Sequence, residues 1–163
     1  MTGKGSLNHN SRKFHAKNTD PNRTHWNVEY CNENIKDVYH ELFDEALKRY
    51  NDKQTRKDRK IDDYYEKIRS GKQEKLFHEV ILQIGDKDNM GSETMEGQLA
   101  AKILDEYMKG FQERNPTLRV FAAHLHLDEA TPHLHIDFIP YVDRKSTRLN
   151  SSHSRKSRMP SSA

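Results

Sequence analysis

Hydrophobic residues recur at helical spacing in three segments of the chain. Residues 34–50 carry apolar side chains three and four positions apart, which predicts an amphipathic helix. Residues 92–114 predict a longer helix with Ser92 as its N-cap. The expected apolar face of this longer helix comprises Met95, Leu99, Ile103, Tyr107 and Phe111. A shorter helix is expected near 61–70, and the polar residues 51–60 form either a linker or a solvated extension of the first helix.

Alternation of apolar and polar residues predicts strands in the rest of the chain. Residues 26–30 fit a short strand, and residues 75–84 fit a strand with β-branched content. Residues 118–127 and 133–141 predict an antiparallel hairpin, because turn-forming residues separate them. The order of elements favours an α/β (α+β) fold, in which amphipathic helices cover one face of a sheet and histidines lie on the other.

The hairpin concentrates polar chemistry on one side. Residues 124–138 contain four of the ten histidines and three carboxylates. Side chains two positions apart share a face of a strand, so His133, His135 and Asp137 point together, away from the leucines. Closure of the hairpin brings His126 against them. Three imidazoles on a rigid sheet can hold a divalent metal and leave coordination positions open, which is typical of a catalytic metal.

Carboxylates flank the three histidines. Asp128 and Asp137 are expected to fix the imidazole tautomers, and Glu129 is free to approach the metal or a reacting proton. The alternative is that the histidines only line a solvated sheet face. Their strict alternation with apolar residues favours the metal. The pattern differs from the HExxH motif of zinc proteases, because Pro132 prevents a helix in this segment.

Composition divides the chain near residue 144. The 163 residues are 33% hydrophobic and 33% charged, which indicates one polar domain with a modest core. Residues 145–163 hold five basic residues and no acid, so the net charge of +3 falls to −2 for residues 1–144. Residues 146–154 resemble translated sequencing-adapter read-through. We therefore expect 145–163 to be a disordered, non-native tail; the alternative is a basic tail that binds nucleic acid.

The cysteine content and the lack of long apolar runs limit the compartment. A single cysteine, Cys31, excludes a disulfide framework and fits a reducing cytosol, where it is expected to be a structural or incidental thiol. No apolar run is long enough to span a bilayer, and the chain does not open with a signal-peptide core. A cytoplasmic location is the expectation.

Two motifs resemble those of a known family. Residues 126–135 (HLDEATPHLH) resemble the signature of the MobV (Pre/Mob) relaxases, which are plasmid mobilisation and recombination proteins. These belong to the HUH endonucleases, named for two histidines around a hydrophobic residue, here His133 and His135. Residues 9–12 (HNSR) resemble the HNxR motif of the family, and residues 20–27 resemble the segment that follows it.

The resemblance covers roughly residues 5–144 and implies a fold and a metal. The family fold is an antiparallel sheet backed by helices, with the metal histidines on a central strand. By this resemblance His126, His133 and His135 bind a divalent cation, Mn²⁺ or Mg²⁺. Three nitrogen ligands favour manganese, since magnesium prefers oxygen.

The resemblance also implies a reaction. Relaxases nick one strand at a plasmid transfer origin by transesterification, through a covalent protein–DNA intermediate that releases a 3′-OH. Members with HNxR use its histidine as the nucleophile, which corresponds to His9; Tyr30 is the alternative, because most HUH enzymes use tyrosine. Arg12 is expected to contact phosphate, and Glu129 to orient or deprotonate the nucleophile.

The implied partner is single-stranded or hairpin plasmid DNA in the bacterial cytoplasm. The expected DNA contacts are Arg12, Arg23, His25 and Trp26. Trp26 either stacks on an unpaired base or packs in the core. Relatives continue into a helical region that serves dimerisation, so a homodimer is implied for the full-length protein. Residues 1–144 are therefore expected to be a relaxase catalytic domain trimmed at both ends.

Two other functions fit the same residues. One is a metal-dependent phosphoesterase, which would transfer phosphate to water without a covalent intermediate. The other is a non-catalytic fragment that only binds DNA hairpins. Dependence of a covalent DNA adduct on His9 distinguishes the three functions.

Overall fold

A five-stranded antiparallel sheet organises the computed structural model, which describes residues 2–3, 6–14 and 16–142. In chain order the strands are β1 (Thr2–Gly3), β2 (Val28–Asn32), β3 (His78–Gln83), β4 (Leu118–His126) and β5 (His133–Pro140). Their order across the sheet is β1-β3-β5-β4-β2, so the β4–β5 hairpin occupies the middle. The antiparallel α/β prediction is confirmed. The predicted tail, 145–163, lies outside the described residues.

Five helices connect these strands. They are α1 (Leu7–Asn10), α2 (Ile35–Asp52), α3 (Tyr64–Ser70), α4 (Met95–Lys109) and α5 (Phe111–Arg114). The long helix predicted over 92–114 is thus two helices that meet at Gly110, and its N-cap is Thr94 rather than Ser92. The Thr94 hydroxyl accepts from the Gly97 N–H, whereas Ser92 lies before the helix and is buried. None of the helices among the described residues is long and apolar enough to cross a membrane.

Helices cover both faces of the sheet. On one face α4 and α5 pack against Leu125, Leu134 and Ile136. On the other, α2 and α3 pack against a cluster that includes Phe121 and Ile139. Because Ile139 lies four residues after His135, this second cluster shares the face of the histidines. The predicted helices opposite the histidines are confirmed, and α2 and α3 in addition cover the far part of the histidine face, because this face becomes apolar beyond Asp137.

The apolar face predicted for the longer helix is mostly exposed. Met95, Leu99, Ile103 and Tyr107 lie between 41% and 86% exposed. The buried side of α4 instead combines three small residues with two larger apolar ones: Gly97, Ala100, Ala101, Leu104 and Met108. A Cβ added at Gly97 would lie 1.9 Å from the Gly91 carbonyl oxygen, so only glycine permits this approach. The helix therefore buries the face that carries small residues, because these permit close packing, and exposes most of the longer apolar stripe.

The predicted hairpin is confirmed, including the faces of its side chains. His126 pairs directly with His133, and Leu125 pairs with Leu134. A register shift between Val120 and Ala122 marks a bulge at Phe121. The pairs nearest the turn therefore alternate between a histidine face and a leucine face.

Two leucines on α4 test which side of this helix faces the core. Leu104 is 3% exposed and Leu99 is 59% exposed. We expect Leu104→Ala to lower the free energy of unfolding by about 2–5 kcal/mol, because it leaves a cavity against the sheet. The matched control Leu99→Ala should change it by less than about 0.5 kcal/mol. Urea unfolding followed by circular dichroism measures both, and equal losses would contradict the packing described.

Candidate functional site

Three histidines from the central hairpin converge at one end of the sheet. His126 ends β4, and His133 and His135 lie on β5. One ring nitrogen from each lies within 4.8 Å of the other two. All three are at least 92% buried, since their exposed fractions are 1%, 8% and 6%. The structure therefore brings together the three residues predicted to bind a metal.

Each imidazole is held through one ring nitrogen by an oxygen acceptor. The Nε2–H of His126 donates to the Asn10 carbonyl at 2.8 Å, and the Nδ1–H of His133 donates to the Thr131 carbonyl at 2.9 Å. The Nδ1–H of His135 donates to Glu79 Oε1 at 2.7 Å. Because carbonyl oxygens only accept, these contacts set the tautomer of each neutral ring. The second nitrogen of each ring is left unprotonated.

The unprotonated nitrogens fit a cation. His126 Nδ1 lies 3.4 Å from His133 Nε2, and with the tautomers above neither nitrogen carries a proton. Two lone pairs at this separation repel each other unless a positive ion lies between them. Neutral imidazoles are also the form that binds Mn²⁺ or Zn²⁺. The donor set thus fits a divalent metal held by His126, His133 and His135.

Burial keeps two of the three rings uncharged. Burial, aided by the nearby Arg12 charge, lowers the pKa of His126 to about 2. Burial likewise lowers the pKa of His133 below its ordinary value. At neutral pH the two rings therefore remain unprotonated, which is the state that a metal requires.

Asp128 and Asp137, which were expected to fix the imidazoles, are bound elsewhere. Asp128 pairs with Arg12 through contacts of 2.6 and 2.9 Å. Asp137 Oδ2 accepts from the Asn10 side chain at 3.1 Å, and burial raises its pKa to about 6. Among the described residues, the three imidazoles are instead held by two main-chain carbonyls and by Glu79. This expectation is corrected, because the carboxylates lie beside other partners.

Two residues that the sequence did not single out connect the site. Asn10 is 2% exposed and Glu79 is 4% exposed. The Asn10 amide donates to Glu79 Oε1 at 2.8 Å, while its carbonyl accepts from His126. Asn10 belongs to the HNSR motif, but Glu79 appears in the sequence only as a carboxylate within a strand. Its relation to His135 depends on β3 pairing with β5, which alternation alone does not reveal.

His9 lies on α1, next to the cluster. Its ring centroid is 6.1 Å from that of His126 and 6.4 Å from that of His135. Its Nε2 atom lies 3.4 Å from Glu129 Oε1, and the same carboxylate oxygen lies 3.8 Å from His133 Nε2. Glu129 therefore stands between His9 and the metal-ligand atoms.

Arg12 is locked beside His9 in an unusual backbone conformation. Its φ of 51° lies in the left-handed region, which costs a non-glycine residue roughly 1–3 kcal/mol. Its guanidinium donates to both oxygens of Asp128 and, at 2.9 Å, to Glu129. It also lies 3.3 Å from His9 Nε2. Charge-assisted bonds of this kind offset the backbone strain. Burial on its own raises the pKa of Asp128, but hydrogen bonds from Arg12 and Asn27, together with the Arg12 charge, lower it to about 2.

The turn that carries Glu129 is braced from two sides. Ser92 donates its hydroxyl to the Glu129 carbonyl and its N–H to the Ala130 carbonyl. Asn27 Oδ1 accepts from the N–H groups of Leu127 and Asp128 at 2.7 and 3.1 Å. The main chain around Glu129 is thus held by residues distant in sequence, so its carboxylate has a defined position.

The residues expected to contact DNA fall into two groups. His25 and Trp26 are exposed on a short 3₁₀ turn, so the alternative of Trp26 in the core is not what the structure has. Arg23 is instead bonded to Asp20 and to the carbonyls of Leu127 and Glu129. Of these three, only His25 and Trp26 have exposed side chains; the fourth expected contact, Arg12, is largely buried beside His9.

Tyr30 and Cys31 lie away from the cluster. The Tyr30 hydroxyl donates to Asp105 on α4 at 2.7 Å, which places it with the apolar cluster opposite the histidines. Burial, and then Asp105, raise the pKa of Tyr30 above its ordinary value. Burial raises the pKa of the Cys31 thiol to about 11. The tyrosine alternative for the nucleophile therefore lacks contact with the three histidines.

Comparisons with known proteins agree with the motifs. The family model Mob_Pre, plasmid recombination enzyme, matches residues 4–159, including much of the expected tail. A crystal structure of the MobM relaxase domain (MOBV; Mob_Pre), Mn-bound at pH 5.5 and bound to 22 nucleotides of plasmid pMV158 oriT DNA, is 27% identical with a TM-score of 0.51. The match covers 89% of this chain and 66% of that one.

A second Mn-bound structure of that domain with oriT DNA, at pH 4.6, is 26% identical with a TM-score of 0.49, and the match covers 89% of this chain and 66% of that one. The chain thus spans just under two thirds of the solved domains it matches. No curated protein matches it. Since the family model covers nearly the whole sequence, this chain belongs to the Mob_Pre family of plasmid recombination enzymes.

Proposed function

We propose that this chain nicks one strand of plasmid DNA at a transfer origin and becomes covalently joined to it. The observation that carries the proposal is the contact of Glu129 Oε1 with His9 on one side and its approach to His133 on the other. A nucleophile and a metal-ligand cluster are rarely adjacent without a joint role. The similar MobM domain is bound to oriT DNA and manganese, which supports a DNA substrate.

His9 is the proposed nucleophile. A neutral ring nitrogen of His9 attacks the scissile phosphorus, a P–N bond forms, and the bond from phosphorus to the 3′ oxygen breaks. The departing oxygen takes up a proton and leaves as a 3′-OH, while the 5′ side stays on the protein. Glu129 lies 3.4 Å from His9 Nε2 and can accept the proton that a charged ring must lose first.

Arg12 orients the nucleophile and is the proposed phosphate contact. Its guanidinium donates to the His9 carbonyl at 3.1 Å and lies 3.3 Å from His9 Nε2. A phosphate attacked by this nitrogen would come within reach of the same guanidinium. Its bonds to Asp128 and Glu129 hold it in place before DNA arrives, and a phosphate would displace the His9 partners of its Nη1 group.

The three histidines are the proposed holders of the metal. When bound, Mn²⁺ or Mg²⁺ would act as a Lewis acid toward the scissile phosphate. The chain supplies three neutral nitrogens in a buried setting and tautomers that are already selected.

Plasmid DNA is the proposed partner. The exposed Trp26 ring can stack on an unpaired base. The ring of His25 lies 5.9 Å from it and extends the same surface. Arg23 precedes these residues and donates to the Glu129 carbonyl, which fixes this segment beside the turn. The bacterial cytoplasm is the compartment that this reaction requires. A catalytic domain over 1–144, an adapter-derived tail over 145–163 and a homodimer of the full-length protein remain predictions.

The covalent adduct tests the proposed reaction. The chain is incubated with Mn²⁺ and supercoiled plasmid carrying the origin of its own replicon, with pMV158 oriT as a second substrate. We expect open-circular DNA and a protein–DNA adduct on a denaturing gel. His9→Ala should lower the adduct by at least about 100-fold, because the attacking nitrogen is lost.

Matched variants identify the nucleophile. His40→Ala removes an exposed histidine that is paired with Asp44 on α2, and Tyr30→Phe removes the tyrosine alternative. Both should retain the adduct. An adduct that persists in His9→Ala would sink the nucleophile assignment. Nicking without any adduct would favour the phosphoesterase, and origin binding without nicking would favour a binding module.

Metal binding tests the histidine cluster separately from nicking. Titration of Mn²⁺ into the metal-free chain should give one site, and EDTA should abolish nicking. His133→Ala should weaken Mn²⁺ binding by roughly 100-fold or more, because it removes a direct ligand, whereas loss of a residue that only holds a ligand costs about 10–100-fold. His124→Ala removes a buried histidine of the same face that lies outside the cluster, and should change affinity little. Equal losses in both variants would contradict the assignment.

A further inference from the structure

Glu79 is a buried carboxylate to which the motifs assign no role. It lies on β3 and is 4% exposed. On the sheet it pairs with Asp137, and two residues further along the same strand Ile81 pairs with His135. Glu79 therefore shares the histidine face of the neighbouring central strand. Burial of a carboxylate costs free energy unless the group is hydrogen-bonded, so the hydrogen-bond partners of Glu79 indicate its role.

One oxygen of Glu79 serves two partners. Its Oε1 accepts from His135 Nδ1 at 2.7 Å and from the Asn10 amide at 2.8 Å. Of the three acceptors that hold the metal histidines, Glu79 is the only side chain, and the only one that carries charge. A carboxylate behind a ligand imidazole orients the ring and makes its other nitrogen more basic.

Asn10 extends the influence of Glu79 to the rest of the site. Its amide also donates to Asp137 at 3.1 Å, and its carbonyl accepts from His126 Nε2. Asn10 directly follows His9 on α1. The contacts of Glu79 therefore reach two of the three metal histidines and the short helix that carries the nucleophile.

The electrostatics agree with a charged Glu79. Burial on its own raises the pKa of Glu79, but the hydrogen bonds from His135 and Asn10 outweigh it and lower the pKa below its ordinary value.

We propose that Glu79 is a positioning residue of the metal centre: its carboxylate holds His135 as the Nδ1–H tautomer, with Nε2 directed to the ion, and anchors Asn10 beside His126. The metal part of this proposal stands on the cluster alone. The effect on His9 rests on the proposed function. Glu79 is not among the three residues of the metal cluster, so its role is exerted through its contacts with His135 and Asn10.

Two substitutions separate positioning from packing. Glu79→Met removes the acceptor but keeps most of the volume, and Glu79→Gln keeps an acceptor oxygen. Binding of Mn²⁺ to the metal-free full chain is measured by titration calorimetry. We expect Glu79→Met to weaken binding by about 10–100-fold and Glu79→Gln to stay within about threefold of the parent.

The tautomer of His135 gives a second readout that needs neither metal nor nicking. In ¹⁵N-labelled metal-free protein, ring nitrogen shifts should show the Nδ1–H form in the parent and in Glu79→Gln. Glu79→Met should shift His135 toward the Nε2–H form, since the acceptor at Nδ1 is gone. The parent spectrum alone tests the tautomer of His135, so this readout remains even if a variant does not fold.

Glu29→Met is the matched control. Glu29 Oε2 accepts from Nε2 of His124, the cross-strand neighbour of His135, at 3.1 Å, but His124 lies outside the cluster. This variant should bind Mn²⁺ like the parent. An Nε2–H tautomer in the parent, parental affinity in folded Glu79→Met, or an equal loss in Glu29→Met would overturn the proposal. Loss of nicking with intact Mn²⁺ binding would instead count against the proposed function.

Discussion

The antiparallel register of β4 and β5 is the constraint on which the rest of the structure depends. It sets His126 opposite His133 and His124 opposite His135, while Leu125 meets Leu134 on the other face. A slip of one residue would exchange the two faces and press imidazoles against α4. Because Leu125 and Leu134 are almost fully buried, that slip carries a large hydrophobic cost. The core on one face thus maintains the chemistry on the other.

The N-terminal segment completes what the hairpin begins. Helix α1 has four residues, too few to be stable alone, so its place depends on tertiary contacts. Asn10 ties it to the sheet through Glu79 and His126, and Arg12 ties it to the turn through Asp128. The positive φ of Arg12 is the local cost of this arrangement. His9, the proposed nucleophile, and the three clustered histidines are therefore parts of one hydrogen-bonded network.

Charge is divided between two zones of the site. The histidine cluster is buried, and two of its rings are neutral because burial lowers the pKa values of His126 and His133. Beside it, Arg12 is bonded to two carboxylates, Asp128 and Glu129. Glu129 borders both zones, with one oxygen near His9 and near His133. A cation in the first zone and a phosphate at the second would each meet groups already set in place, which limits reorganisation during reaction.

The sequence by itself determined the elements that depend on local pattern: the hairpin, the three histidines on one face, helix α2 and, through two motifs, the family. Strict alternation and turn residues suffice for these. Tertiary structure decided the rest. β3 lies beside β5 although a long segment separates them in sequence, so Glu79 rather than Asp128 or Asp137 meets His135. Likewise α4 buries Leu104 instead of Leu99, and its buried face includes Gly97, which lies in close contact with the loop at Gly91. Pairing between distant strands and complementarity of packed surfaces are non-local, and hydrophobic periodicity does not contain them.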